Sequence, residues 1–144
     1  MQIRQMQETD LGDVEALAIQ LGYPNSSSDL CRRFREIHGL ENYALLVAQS
    51  DEGKVVGYIQ INLEPQTLLS DSKADISALI VHESWRGQGI GAALVAGAEA
   101  WVRDKGLRLI RVRSNTVREG AHRFYLREGY RVSKTSSIFT KTLD

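Results

Sequence analysis

The sequence has a single cysteine, Cys31, in 144 residues. One thiol excludes an internal disulfide and fits a reducing cytoplasm, the compartment we expect. No apolar run approaches the roughly 20 residues that span a bilayer, so no membrane partner is expected. The start, Met1-Gln2-Ile3-Arg4, lacks the apolar core of a secretory signal. Cysteine and histidine never fall at zinc-ligand spacing, so no metal is expected. Repeats, low-complexity segments and interdomain linkers are also missing. The length then fits one domain over residues 1–144 with a sizeable core.

What is present is ordinary in amount and uneven in placement. Hydrophobic residues make up 42% and charged residues 25%, as in soluble globular proteins. Net charge is zero, yet residues 86–134 carry 11 Lys/Arg against 4 Asp/Glu, and residues 1–85 carry 6 against 13. Two readings stay open. The halves are solvated surfaces of different sign, or an anionic ligand sits near the second and a cationic one near the first. Nucleic acid is not expected, because no basic patch comes with an aromatic stacking set.

Periodicity divides the chain into a mixed α/β pattern. Ile3 to Met6 reads as a short strand, and Thr9 as the cap of a helix reaching Leu21. Gly22-Tyr23-Pro24-Asn25 breaks it. A second helix starts at Ser28 or Asp29, with Leu30, Phe34, Ile37 and Leu40 on its apolar face; Cys31 is filler there rather than a nucleophile. Tyr43 to Gln49 and Val55 to Leu63 read as strands joined at Asp51-Glu52-Gly53. Glu64 to Ser72 is a polar connection, and Ala74 to His82 a further strand. A helix from Ile90 stops at Gly106, a left-handed cap. Leu107 to Arg113 alternates as a strand. Thr116 with Glu119 forms a capping box for a last helix ended by Gly129. Tyr130 to Val132 and Ser137 to Thr142 read as closing strands. The middle strand–helix–strand is expected to be a right-handed parallel crossover.

The chemistry-bearing stretch is Arg86-Gly87-Gln88-Gly89-Ile90-Gly91, between the strand and the long helix. Unpaired amides at a helix N-terminus suit an anion, and glycines let the backbone approach it. The stretch is not a Walker loop, since Ala92-Ala93 stands where Lys and Ser/Thr are needed. It is not G-x-G-x-x-G either. It does fit the Q/R-x-x-G-x-G/A pattern of the GNAT superfamily of N-acetyltransferases. Ala74 to His82 resembles that family's central strand. Asn115 and the segment Ala121 to Tyr130 resemble its asparagine and its "FY…GY" helix.

The resemblance implies a mostly antiparallel sheet of about seven strands with one splayed parallel pair, flanked by about four helices. It implies acetyl-coenzyme A as cosubstrate, its pyrophosphate on the amides of Arg86, Gly87, Gln88, Gly89, Ile90, Gly91 and Ala92. The pantetheine arm would lie along Leu79, Ile80 and Val81, with Asn115 near it. A small-molecule primary amine is the expected acceptor; a protein N-terminus or lysine, or no catalysis at all, are the alternatives. Relatives often form homodimers.

Acetyl transfer sets three tasks. An alkyl ammonium of pKa about 10.4 must lose its proton, at roughly 4–5 kcal/mol near neutrality. The carbonyl oxygen needs a donor, for which the resemblance suggests the Val81 N–H. The departing thiolate needs a proton or hydrogen bond. Tyr125 holds the family's general-acid position, or else is a packed aromatic beside Phe124. Asp75 aligns with the acidic position that serves some relatives as base, or else is a strand-end carboxylate. Glu64, Glu83 and His82 are weaker bases.

Overall fold

The structure is a computed structural model and describes residues 1–113 and 119–144. It divides into two compact units, Met1–Arg113 and Ser114–Asp144.

The first unit is a five-stranded sheet in the order β1-β2-β3-β4-β5. β1 is Gln2–Gln5, β2 Tyr43–Gln49, β3 Val55–Glu64, β4 Lys73–Val81 and β5 Ile110–Val112. The first four strands pair antiparallel; β4 and β5 pair parallel. The parallel step runs through α3, Ile90–Asp104. Val55 and Gly57 lie across from Gln49 and Ala48, and Ile76 and Ala78 from Ile61 and Gln60, so the ladder slips at two bulges. The second leaves Ser77 without an opposite residue.

Each sheet face has its own cover. α3 buries Ile90, Leu94, Val95, Ala98 and Val102. A Cβ on Gly57 would stand 3.1 Å from Leu94 and 3.4 Å from Ile90 of α3, and 3.0 Å from the Ile80 carbonyl of β4. The other face meets α1, Leu11–Leu21, and α2, Ser27–Ile37. There Met6, Val14, Leu17, Phe34, Val47, Val55 and Ile80 form one buried cluster edged by Tyr58. Burying each large apolar side chain contributes about 1.5–3 kcal/mol.

Capping explains the helix limits. Ser26, rather than Ser28 or Asp29, caps α2, its hydroxyl accepting the Asp29 N–H at 3.1 Å. α1 begins after a single 3-10 turn, Glu8–Asp10, closed by a Gln7–Asp10 capping box, so Thr9 is not the cap. α1 and α3 end in Schellman pairs. Tyr23 N–H reaches Ala18 C=O and Gly22 N–H reaches Ile19 C=O; Leu107 and Gly106 do the same to Val102 and Arg103. That cap also shortens β5: Leu107 is spent on closing α3, and pairing begins only at Ile110.

In the second unit α4 is Glu119–Arg127. Gly129, at φ +92°, ends it with a third Schellman pair, Tyr130 N–H to Tyr125 C=O and Gly129 N–H to Leu126 C=O. Tyr130–Val132 and Ser137–Thr142 belong to no strand, so the sheet has five strands among the described residues rather than about seven. Alternation makes a segment eligible for a ladder, but a strand exists only where another backbone takes up its N–H and C=O groups. Asn115 and the Thr116 end of the expected capping box lie outside the described residues.

Candidate active site

β4 carries the site on one edge. His82 N–H donates to Val56 C=O at 2.8 Å, toward β3. Successive residues of a strand send their peptide groups to alternate sides. Val81 and Leu79 therefore aim N–H and C=O away from β3, while Ile80 aims its own toward β3. On the outer side β5 pairs only with Ala74, Asp75 and Ile76. From Ser77 to Val81 that edge has no strand partner among the described residues. An extended ligand with its own amides can pair there as an added strand.

The glycine turn follows directly. His82 caps the 3-10 turn Glu83–Trp85, its Nδ1 accepting the Ser84 N–H at 3.1 Å. That lone pair is engaged in the cap. Gly87 and Gly89 take φ of +76° and +80°, which non-glycine residues rarely adopt. A Cβ at either would meet nothing within 4 Å, so conformation rather than crowding requires glycine. The first bond of α3 runs from Ala93 N–H to Gly89 C=O at 3.0 Å. The amides of Ile90, Gly91 and Ala92 thus have no acceptor within the helix and stand at its positive end. The Arg86 side chain turns back, Nε donating to Val81 C=O at 3.3 Å. Open amides at the turn and an open edge beside it fit a ligand with a phosphate group and an amide-bearing arm.

One contact here is invisible in the sequence. Gln20, near the end of α1, accepts the Glu83 N–H at 3.1 Å, and its amide nitrogen lies 3.1 Å from His82 Nε2. It ties α1 to the turn. A polar residue on a helix otherwise reads as surface.

Register sorts the other candidates by face. Alternate β3 residues Tyr58, Gln60, Asn62 and Glu64 share the α1/α2 face, and Asp75 joins them opposite Asn62. Gln60 donates to Asn62 at 2.9 Å. Burial raises the Tyr58 phenol above its usual range. Arg111 on β5 donates to both Asp75 oxygens, at 2.8 and 3.0 Å, and to Glu64 at 2.6 Å. Those charge-assisted bonds raise the Arg111 pKa, Asp75 contributing first. In this structure Asp75 is the partner of Arg111 across the parallel ladder.

Tyr125 lies on α4, half-buried. Its ring meets Phe124 edge-on at 5.2 Å and Tyr130 at 5.7 Å. The second contact joins the two residues that the Gly129 cap brings together. A recess of about 630 Å³ lined by Val102, Arg103, Gly106, Leu107 and Arg108 opens at the far end of α3. It lies roughly 20 Å from the glycine turn at 1.5 Å per residue.

The model of the acetyltransferase (GNAT) family matches residues 11–130. The chain belongs to the GNAT acetyltransferase family. It is 41% identical over 91 residues to the aminoalkylphosphonate N-acetyltransferase of Salmonella typhimurium, covering 63% of this chain. The match spans 58% of that relative's length. A solved structure called a transcriptional regulator, from Bacillus halodurans C-125, superposes with a TM-score of 0.85 at 29% identity, over 97% of this chain and 99% of the other. Aminoglycoside acetyltransferase AAC(6')-Iy, solved with a bisubstrate analog of CoA and acetylneamine, gives 0.87 at 20% identity, over 99% and 98%. At that identity the likeness is one of fold.

Among the described residues no helix is long and apolar enough to cross a membrane. No group of three or more His, Cys, Asp or Glu residues there is placed to hold a metal ion.

Proposed function

We propose that this protein is an acyltransferase that moves the acetyl group of acetyl-CoA directly to a primary amine of a small molecule, as a single domain in the cytoplasm. One observation carries the reading: the unpaired β4 edge at Leu79 and Val81 runs straight into a turn with three free helix amides. A thioester on a long amide-bearing arm with a pyrophosphate uses both. Family membership and the Salmonella relative, named for an N-acetyltransferase, support the transfer and the small acceptor.

In this reading Gly87 to Ala92 hold the pyrophosphate through backbone N–H groups, and Leu79 pairs with the pantetheine arm. Asn115 remains a proposed contact to that arm. Acetyl-CoA supplies an activated carbonyl. The amine nitrogen forms a bond to that carbonyl carbon, the carbon–sulfur bond breaks, and coenzyme A leaves as thiol. Val81 N–H donates to the carbonyl oxygen as charge develops on it. Tyr125, the resemblance's general acid, donates its phenolic proton toward sulfur and recovers one from the acceptor by way of solvent. Asp75 was the expected base; with Arg111 on both its oxygens, water is the better carrier of the ammonium proton.

The test is acetyl-CoA-dependent thiol release, assayed across aminoalkylphosphonates, aminoglycosides, simple diamines and peptides with free N-termini or lysines. Turnover confined to small amines is expected. Turnover confined to peptides overturns the acceptor class. Coenzyme A binding without turnover on any amine overturns the enzyme and leaves an acyl-CoA-binding protein.

A further inference from the structure

The parallel ladder between β4 and β5 has three rungs, Ala74 to Ile110, Asp75 to Arg111 and Ile76 to Val112. Three rungs make a short strand, and parallel pairing is slightly weaker per residue than antiparallel. Arg111 reinforces it one rung before its end. Nε and one terminal nitrogen take both oxygens of Asp75, and that terminal nitrogen also meets Glu64. Glu64 is the last residue of β3, which pairs with β4 on its other side. One guanidinium therefore joins three adjacent strands, one rung before the β4–β5 ladder ends. The pair is only a quarter exposed or less, Arg111 at 25% and Asp75 at 21%, so water screens it weakly. A planar fork is required: lysine, a point charge, cannot hold two carboxylate oxygens and a second carboxylate in one plane.

We propose that Arg111 is a positioning residue: by clamping Asp75 and Glu64 it fixes where β5 leaves β4, and so sets the length of β4 edge open to the pantetheine arm. This rests on the acetyl-CoA reading above. It gives Asp75 a role as the clamp's anchor. It also predicts a loss confined to the part of the ligand that lies along the edge. The pyrophosphate grip lies beyond Val81 and does not touch the clamp.

Calorimetric titration with coenzyme A, and with its nucleotide half lacking the pantetheine arm, separates these parts. The proteins are wild type, Arg111→Gln, Arg111→Lys, Asp75→Asn and the Arg111→Gln/Asp75→Asn double variant. Arg111→Gln and Asp75→Asn are each expected to weaken coenzyme A at least tenfold and the nucleotide half less than twofold. Arg111→Lys recovers part of the loss. The double variant is no worse than Arg111→Gln alone, since that single already removes the Asp75 contact. Equal weakening of both ligands, or unchanged coenzyme A affinity in folded variants, overturns the clamp. Should Arg111→Gln fail to fold, Asp75→Asn, which keeps one carbonyl acceptor, decides by the same comparison. A wild type that binds neither ligand defeats the acetyl-CoA reading itself, whereas a wild type that binds with unaffected variants defeats only the clamp.

Discussion

Replacing Asp10 by asparagine tests the join that sets α1 on the sheet. Asp10 is 7% exposed and accepts three bonds: from both terminal nitrogens of Arg4 at 2.8 Å and from Gln7 N–H at 2.7 Å. Asparagine keeps one acceptor and turns an NH2 donor toward a guanidinium that is itself all donors. A hydrogen bond to a charged group contributes about 1.5–3 kcal/mol, and breaking a buried pair costs about 3–5 kcal/mol. The Arg4 side chain keeps 21% of its surface in water, which recovers part of that. The expected loss is about 2–3 kcal/mol, or a Tm lower by roughly 4–12 °C for a chain of this size. The pH dependence has a definite sign. Arg4 first, then the Gln7 amide, hold the Asp10 carboxyl below its usual range against the opposing cost of burial. Its stabilisation is complete above the unfolded pKa of about 3.9 and disappears as pH falls through the folded value. Urea melts of both proteins at neutral pH and at stepwise lower pH give the difference directly, and carboxylates common to both cancel. The gap should hold down to about pH 5 and close in stronger acid. A gap under about 0.5 kcal/mol at neutrality, or one that widens in acid, refutes the assignment of the pair.

Three further outcomes follow from the site. Gly57→Ala places a methyl 3.0 Å from the Ile80 carbonyl of β4 and 3.1 Å from Leu94 of α3, and should cost about 1–3 kcal/mol in thermal melts; unchanged stability would show that the strand and the helix both yield to it. Arg86→Ala should change coenzyme A affinity less than about threefold by titration, because the backbone amides rather than the guanidinium meet the anion; a tenfold loss would transfer the grip to the side chain. Tyr125→Phe should preserve coenzyme A affinity and lower turnover at least about tenfold; unchanged turnover removes the phenol from the mechanism.

The elements legible in the sequence are those whose rules are local. Gly106 and Gly129 announce their caps because only a left-handed residue closes such helix ends. β4, the glycine turn and α3 are legible together, since apolar alternation, left-handed glycines and a 3.6-residue period succeed one another without a gap. What stayed hidden needs partners distant in the chain. Gln20 and Glu83 are 63 residues apart and Arg111 and Glu64 are 47 apart, and neither pair has a spacing to reveal it. The Ser77 bulge is silent for the same reason, as register belongs to two strands at once. β5 is shorter than its alternation because Leu107 serves the α3 cap. Asp75 was found by the resemblance, but only the neighbouring strand shows that its oxygens are occupied.

Ser77 adds a residue to β4 that no residue of β3 answers. It stands between the Arg111–Asp75 clamp and the peptide groups of Leu79 and Val81. In units of strand rise, that residue is worth up to about 3.3 Å of separation. The distance from the Arg111–Asp75 pair to the open β4 edge is thus written as a count of residues rather than as their identities. In the proposed acetyl-CoA reading, loss of a single codon here would rescale the site without changing any residue proposed to hold the ligand.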